Sequence, residues 1–488
     1  MENVLAQHIT KTPGVCGGKA CIAGHRIRVL DIVVWHEKRG CTPGELVEMF
    51  PGITLADVHA ALAYYFDNRA EIEADSRHET VTADTVRARF TPKLQTTVLH
   101  YDFIAPARIV FGWGRRTEIG ALGRQFGRRA LVFCGLPDAQ AAAVLPKMAD
   151  ALHAEHVDVI EAGAIDHEPE AADVDEAAAG LRELGAGPGD FLLALGGGAA
   201  IDLAKAVAAM AVAGEDDRVA DYLEGVGRGL KLQRDPLPLL AVPTTAATGA
   251  EATYNAVISN YDPPWKKSLR DPRLMARAAL VDPELCVSVP PPVTAAGGMD
   301  AITQLIESFI SRKAQPIPQA LCLQGLRLAV PAIVEAVEDG ASRPAREHMS
   351  HAALLSGMAL ANSGLGMAHG VAPALGTHCR VPHGVACALM LPVALRTNRE
   401  ARRDELARLA HVLFGVRFQQ SPEEAVDRLI EEIERLCERV GVPRRLSEVG
   451  VTADQIPAIA RDSFGNSMRG NPVELTEPQV VEILRELL

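Results

Sequence analysis

From about residue 100 the chain alternates short apolar runs with longer segments of helical period. ALVFCG (130–135), VDVIEAG (157–163), FLLALGGG (191–198) and PLLAVPTT (238–245) predict strands. Segments 138–155, 171–184 and AIDLAKAVAAMAV between them predict helices. Such βαβ alternation argues for a parallel sheet covered by helices, with ligands at the carboxyl ends of the strands. After about residue 291 the strand signals stop. Segments 293–312, 317–337, 344–363, 384–398, 401–414, 421–440, 453–464 and 476–487 all carry helical period. The expected fold is α/β plus all-α, a sheet domain over 99–290 and a helical domain over 291–488, with a cleft between them as the natural site.

Residues 1–78 follow a different pattern. A turn-rich start, PGVCGGKACIAGHRIRV, leads into the apolar run VLDIVVWHEKRG and then two helical stretches. Thr42 and Thr54 are placed as N-caps, with Pro43 at a first helical position and Glu45 three residues after Thr42. Val58, Leu62, Tyr65 and Phe66 recur at helical spacing, which predicts a small unit of helix-turn-helix character. Residues 79–98 are polar with little periodicity and read as a linker, with room for one edge strand.

Length and composition narrow the classes. A chain of 488 residues suggests about three domains. A hydrophobic share of 48% suits large cores, and with aromatics at 4% the packing falls to alanine, leucine and valine. The formal charge of −13 disfavours nucleic acid or an anionic membrane as the main partner. Within residues 1–78 acids slightly outnumber bases, so DNA binding by that unit lacks the usual basic face. No signal peptide or long uncharged apolar run stands out, which makes the cytoplasm the expected location and a membrane partner unexpected. The nine cysteines include no Cys-x-x-Cys pair and are expected as reduced thiols chosen for packing.

Three stretches carry candidate chemistry. In FLLALGGGAAIDLAK, Gly196, Gly197 and Gly198 follow a strand and open a helix. Glycines let backbone approach a phosphate, and free N–H groups with the helix dipole stabilise its charge. The run is neither a GxGxxG fingerprint nor a P-loop, and a GGG turn after a strand is also a common structural turn. PTTAATGAEAT (243–253) sets Thr244, Thr245, Thr248 and Thr253 at the next strand end, where they can bond a cofactor or cap local turns. GMAHGVAPALGTHCRVPHG (366–384) gathers His369, His378 and His383 among small residues.

The order of motifs, YDFIAPARIVFGWG, ALGGGAAIDLAK, PTTAATGAE, DPRLMARAALVDPEL, GGMDAITQLIES and MAHGVAPALGTHCRVPHGVACALMLP, resembles the iron-containing (group III) alcohol dehydrogenase family. The resemblance runs from about residue 100 to the end. It implies a dinucleotide-binding domain and a helical domain with a divalent metal and nicotinamide in the cleft. Gly196, Gly197, Gly198, Ala199 and Ala200 would line the pyrophosphate, Thr244, Thr245 and Thr248 would contact the cofactor, and Asp202 would sit near the nicotinamide end. Lys267 in WKKSL, to within one residue, would match a lysine near the adenosine. Ala199, Ala247 and Ala250 depart from the family's usual serine, glycine and serine. Gly135 stands where many members carry an aspartate that favours NAD by repelling a 2′-phosphate, so NAD and NADP both remain open. The CGGKACIAGHRIRV start is similar to domain-of-unknown-function family 433, an antitoxin-like, winged-helix type module, which implies DNA or protein binding.

For the metal, the resemblance carries over Asp300, His369 and His383 as ligands, with Gln304, where many members have a histidine, as a further candidate ligand that can offer an amide oxygen. One carboxylate with two imidazoles suits Fe²⁺, Zn²⁺ or Mn²⁺ with open positions, and Fe²⁺ or Zn²⁺ is the expected ion. Pro373 occupies a position where many members have a second histidine near the nicotinamide. His378 is no ligand in the family pattern, and Cys379 and Cys387 are expected to serve packing. The implied function is hydride transfer between NAD(P)(H) and a small alcohol, aldehyde or ketone by a homo-oligomer, with Asp300, His369 and His383 as the catalytic group. Two other readings stand beside it. One is a maleylacetate-reductase-like enzyme with little metal dependence. The other is a nucleotide-sensing regulator whose N-terminal module binds DNA or protein.

Overall fold

The computed structural model describes residues 7–77, 101–415 and 421–488. The expected linker at 79–98 lies outside these residues. The chain divides into two units, residues 1–100 and residues 101–488.

In the first unit β1 (Ile9–Thr10) pairs antiparallel with β2 (Cys21–Ile22), and α1 (Val29–Val33), α2 (Pro43–Met49) and α3 (Leu55–Asp67) follow. Both expected caps form. Thr42 exchanges bonds with Glu45, and Thr54 does the same with Asp57, satisfying free N–H groups at each helix start. Val29, Ile32, Leu46, Val58 and Ala61 close a core small enough for a unit of this length.

In the second unit six parallel strands form one sheet. They are β3 (Arg108–Phe111), β4 (Arg129–Cys134), β5 (Asp158–Ala164), β6 (Asp190–Gly196), β7 (Leu239–Pro243) and β10 (Ala278–Val281). Their order is β3-β10-β7-β6-β4-β5. After β4 the chain steps outward to β5 and then returns to the other side of β4 for β6. The point between β4 and β6 is therefore a topological switch, where the crossovers part and leave a crevice. α4 (Ile119–Gly123) precedes β4, and α5 (Asp138–Ala154), α6 (Ala171–Glu183) and α7 (Gly198–Met210) link the central strands. β8 (Asn255–Tyr261) and β9 (Pro264–Arg270) form a separate antiparallel hairpin. The short strands β3 and β10 and this hairpin are elements the hydrophobic pattern did not predict.

Nine helices complete the described residues: α8 (Pro291–Ile310), α9 (Pro316–Glu338), α10 (Arg343–Ser363), α11 (Met367–Cys379), α12 (His383–Asn398), α13 (Arg403–Phe414), α14 (Pro422–Arg439), α15 (Ile456–Asp462) and α16 (Glu477–Glu486). α8 is buried almost throughout, packed against α9, α10 and α12. α9 is long and apolar enough to cross a membrane by length and composition, but Cys322, Leu326, Ala329 and Ile333 bury one face in the helical core. α11 falls in a stretch where the apolar period predicted no helix. It is a helix of thirteen residues despite Gly370, Pro373 and Gly376, ending where Arg380 takes a left-handed conformation with φ 56°.

Candidate active site

The switch point is built by missing side chains. A Cβ on Gly196 would lie 2.7 Å from the Ala200 Cβ and 3.0 Å from the Gly135 Cα, and one on Gly198 would lie 2.7 Å from the Thr248 Oγ1. A Cβ on Gly197 would lie 3.1 Å from the Thr245 Oγ1. Only glycine allows β6, the start of α7 and the threonine turn to approach this closely. A cavity of about 740 Å³ opens over the turn, lined by Gly135, Gly197, Gly198, Ala199, Ala200, Thr244 and Thr245 among others. It meets a second cavity of about 250 Å³ at Gly198, Ala199, Glu168 and His383.

Asp202 and Thr248 line the smaller cavity. Asp202 Oδ2 accepts from the Val257 N–H at 3.0 Å, while its buried Oδ1 accepts no hydrogen bond. Burial raises its pKa to about 6. Lys205, one turn further along α7, is fully buried and donates to the carbonyls of Ala250 and Asn255 and to the Thr253 hydroxyl, joining the threonine turn to the hairpin. Burial lowers its pKa to about 8. Lys267 is not among the lining residues of either cavity. Neighbouring side chains on β9 point to opposite faces, and it is Lys266 that lines the smaller cavity, 2.7 Å from Glu168. Burial opposes charge on Glu168, but Lys266 outweighs it and holds the carboxyl below its ordinary range.

Beside this, four donors converge from three helices. Asp300 comes from the middle of α8, His369 from the first turn of α11, and His383 and Cys387 from the first turns of α12. One ligand atom from each lies within 4.8 Å of every other. His369 is gripped from both sides: its Nε2 is 3.0 Å from Asp300 Oδ1 and its Nδ1 is 2.7 Å from Glu307 Oε2. Glu307 also accepts from the Ala368 and His369 N–H groups, so one buried carboxylate caps α11 and orients the imidazole. Nothing in the sequence reading singled out Glu307. The available signal was its place two helical turns after Asp300, on the same face of α8.

The charges of the cluster differ from donor to donor. Burial opposes protonation of His369, but the Cys387 sulfur and the Asp300 and Glu307 carboxylates outweigh it and raise its pKa well above the ordinary value. Burial, helped by the Lys266 ammonium, lowers His383 to about 4, so that ring is neutral. Burial works against the Asp300 carboxylate, but the His369 hydrogen bond and the His383 ring hold it below its usual range. Burial pushes the Cys387 thiol up to about 12.

Gln304 is oriented differently from the expectation that it offers an amide oxygen to the cluster. Its Oε1 accepts from the Ser356 hydroxyl at 3.1 Å, and its Nε2 donates to Asp300 Oδ2 at 3.4 Å. Pro373 lines the smaller cavity with His369 and His383. His378 stands apart, at the end of α11, with its Nε2 2.7 Å from Asp462.

A glycine turn at the switch of a parallel sheet, joined by a shared cavity to a buried carboxylate–imidazole–thiol cluster, is the layout of a nucleotide-using, metal-using oxidoreductase. Comparison with known proteins gives the same class. Residues 106–283 match the family "Iron-containing alcohol dehydrogenase", and residues 294–488 match "Fe-containing alcohol dehydrogenase family, C-terminal". Long-chain-alcohol dehydrogenase 1 of Geobacillus thermodenitrificans is 31% identical over 382 residues, covering 77% of this chain and 95% of that protein. Lactaldehyde reductase of Escherichia coli is 34% identical over 298 residues, 60% of this chain and 76% of that protein. A solved 1,3-propanediol oxidoreductase superposes with a TM-score of 0.74 at 28% identity, covering 80% of this chain and 100% of that one. The chain belongs to the iron-containing alcohol dehydrogenase family, whose members are nicotinamide- and metal-dependent oxidoreductases. Residues 9–65 match "Protein of unknown function (DUF433)".

Proposed function

We propose that this chain catalyses reversible hydride transfer between a nicotinamide dinucleotide and a small alcohol or aldehyde. The convergence of Asp300, His369 and His383 beside the glycine turn carries this reading. The residues fit a divalent metal, Fe²⁺ or Zn²⁺. His383 is a neutral imidazole whose Nε2 lies 3.6 Å from Cys387 Sγ, on the side of the cluster. Glu307 takes the Nδ1 side of His369, which leaves Nε2 to face the cluster. Bound there, the ion would supply Lewis acidity that polarises a substrate oxygen and lowers the pKa of an alcohol.

The protein's own residues supply position. Gly196, Gly197, Gly198, Ala199 and Ala200 would cradle the pyrophosphate against the N-terminus of α7, where free N–H groups favour an anion. Thr244, Thr245 and Thr248 would bond the nucleotide, and Asp202, which lines the smaller cavity with its Oδ1 free of hydrogen bonds and 3.9 Å from Lys205 Nζ, would accept a hydrogen bond at its nicotinamide end. Val257, Leu360, Leu365 and Pro373 give that cavity apolar walls, and its volume of about 250 Å³ fits a short-chain substrate. With Pro373 in place of an imidazole, the hydroxyl proton leaves through solvent or the nucleotide ribose. No acid stands at Gly135 to repel a 2′-phosphate, so the reading includes both NAD and NADP. The four-donor cluster favours this mechanism over the reading with little metal dependence.

We further propose that residues 99–290 and 291–488 form the nucleotide and metal domains of a cytoplasmic homo-oligomer. Residues 1–78 would serve as an interaction module. The test is NADH and NADPH oxidation by the full chain with a panel of aldehydes, with and without Fe²⁺ or Zn²⁺. Metal-stimulated oxidation of short aldehydes is expected. No oxidation of any aldehyde, with either nucleotide and either metal, would overturn the reading.

A further inference from the structure

We infer that Cys387 is a fourth protein ligand of the metal, making the donor set one carboxylate, two imidazoles and one thiolate. The inference rests on the metal reading above and adds a ligand to it. His383 opens α12 and Cys387 follows one turn later on the same face, so both point into the cluster. The Cys387 Sγ is 3.6 Å from His383 Nε2. A tetrahedral ion with metal–nitrogen near 2.05 Å and metal–sulfur near 2.3 Å separates those two atoms by about 3.5 Å. The side chain is wholly buried, and Asp300, His369 and Glu307 all act electrostatically on its sulfur.

Two further observations favour sulfur over Gln304 in the fourth place. The amide oxygen of Gln304 is engaged by Ser356, and its nitrogen faces Asp300. One carboxylate and one thiolate together also neutralise a divalent ion held among buried side chains, where uncompensated charge is costly. Asp300 and Cys387 are not among the residues lining the smaller cavity, whereas His369 and His383 are. The sulfur therefore lies behind the site, and a substrate oxygen would enter from the cavity side as a fifth donor to the ion. As the metal–sulfur bond forms, the thiol proton passes to solvent. A soft donor shifts preference toward Zn²⁺ and Co²⁺ and away from Mn²⁺ and Mg²⁺.

The probe is Co²⁺ added to the metal-stripped full chain, read by absorption spectroscopy and by bound metal per chain. Wild type should bind one equivalent and show a near-ultraviolet sulfur-to-cobalt charge-transfer band. Cys387→Ser should lose the band and bind Co²⁺ on the order of 100-fold more weakly, since even partners outside a ligand set are worth about 10- to 100-fold. Stoichiometric Co²⁺ binding by wild type without the band, or a band that persists in Cys387→Ser, overturns the thiolate and leaves the metal reading standing. No Co²⁺ binding by wild type overturns both. Zinc-edge X-ray absorption of the wild type needs no variant: a sulfur scatterer at about 2.3 Å is expected, and a shell of nitrogen and oxygen alone contradicts the inference.

Discussion

The glycine cradle and the donor cluster share a cavity wall but are made in opposite ways. The cradle is one contiguous stretch, Gly196 to Ala200, supported by the next strand's threonines, and it works because side chains are absent. The cluster is made of side chains drawn from α8, α11 and α12, and each must be held at one angle by something else. Local backbone shape can build an anion site, whereas a metal site depends on long-range packing. Damage should therefore separate: changes in the cradle act on nucleotide, and changes in the cluster act on metal first and on turnover through it.

The largest effect is expected from Asp300→Ala, which removes the carboxylate between the two imidazoles. Bound metal should fall to background, and kcat/KM should drop on the order of 1000-fold or more, the scale of several kcal/mol of Lewis-acid stabilisation. Metal analysis with steady-state kinetics reads both. The complementary change is Gly198→Val. Its Cβ would meet Thr248 Oγ1 at 2.7 Å, and overpacking of this kind costs about 1–3 kcal/mol, so kcat/KM for nucleotide should fall by up to roughly 100-fold. Metal content should not change. Loss of metal in Gly198→Val would break the separation between the two regions.

Glu307→Gln should weaken metal binding by on the order of 10- to 100-fold in a competition titration, because the group that orients His369 has lost its charge. Nucleotide affinity should hold. The pH dependence is the mildest test. In the stripped protein His369 has a raised pKa, so below that pKa a metal must displace its Nε2 proton. Affinity should rise with pH by about tenfold per unit for each proton displaced; the His369 contribution ends once the pH passes its raised pKa, while the Cys387 thiol, raised to about 12, keeps the rise going at about tenfold per unit. His383, depressed to about 4, should add no dependence above that pH.

The same contrast explains what could be read from the sequence. The central strands, their helices and most of the helical half followed from apolar period, because long amphipathic segments announce themselves. The four-residue strands β3 and β10 carry too few positions to show a period, and polar PWKKSLR hides β9. Helix α11 was masked by Gly370, Pro373 and Gly376, which local propensity reads as breakers but burial against the core overrides. The cradle residues were legible because they are adjacent. Asp300, His369 and His383 came from resemblance rather than spacing, and the structure brings their side chains together. Glu307 and the inward place of Cys387 needed coordinates, since only helix packing sets which face meets the cluster. Lys266 facing the cavity rather than Lys267 is a one-residue strand register, which alternation leaves undecided until the hairpin pairing is known.

The central claim is that a divalent metal held by Asp300, His369 and His383 is required for turnover. The most direct test is to strip the full chain with a chelator, measure bound metal and aldehyde-dependent NAD(P)H oxidation, and then add back Fe²⁺ or Zn²⁺. The expected result is activity at background in the stripped protein, restored in proportion to metal bound up to one equivalent. Full activity with no metal bound would contradict it.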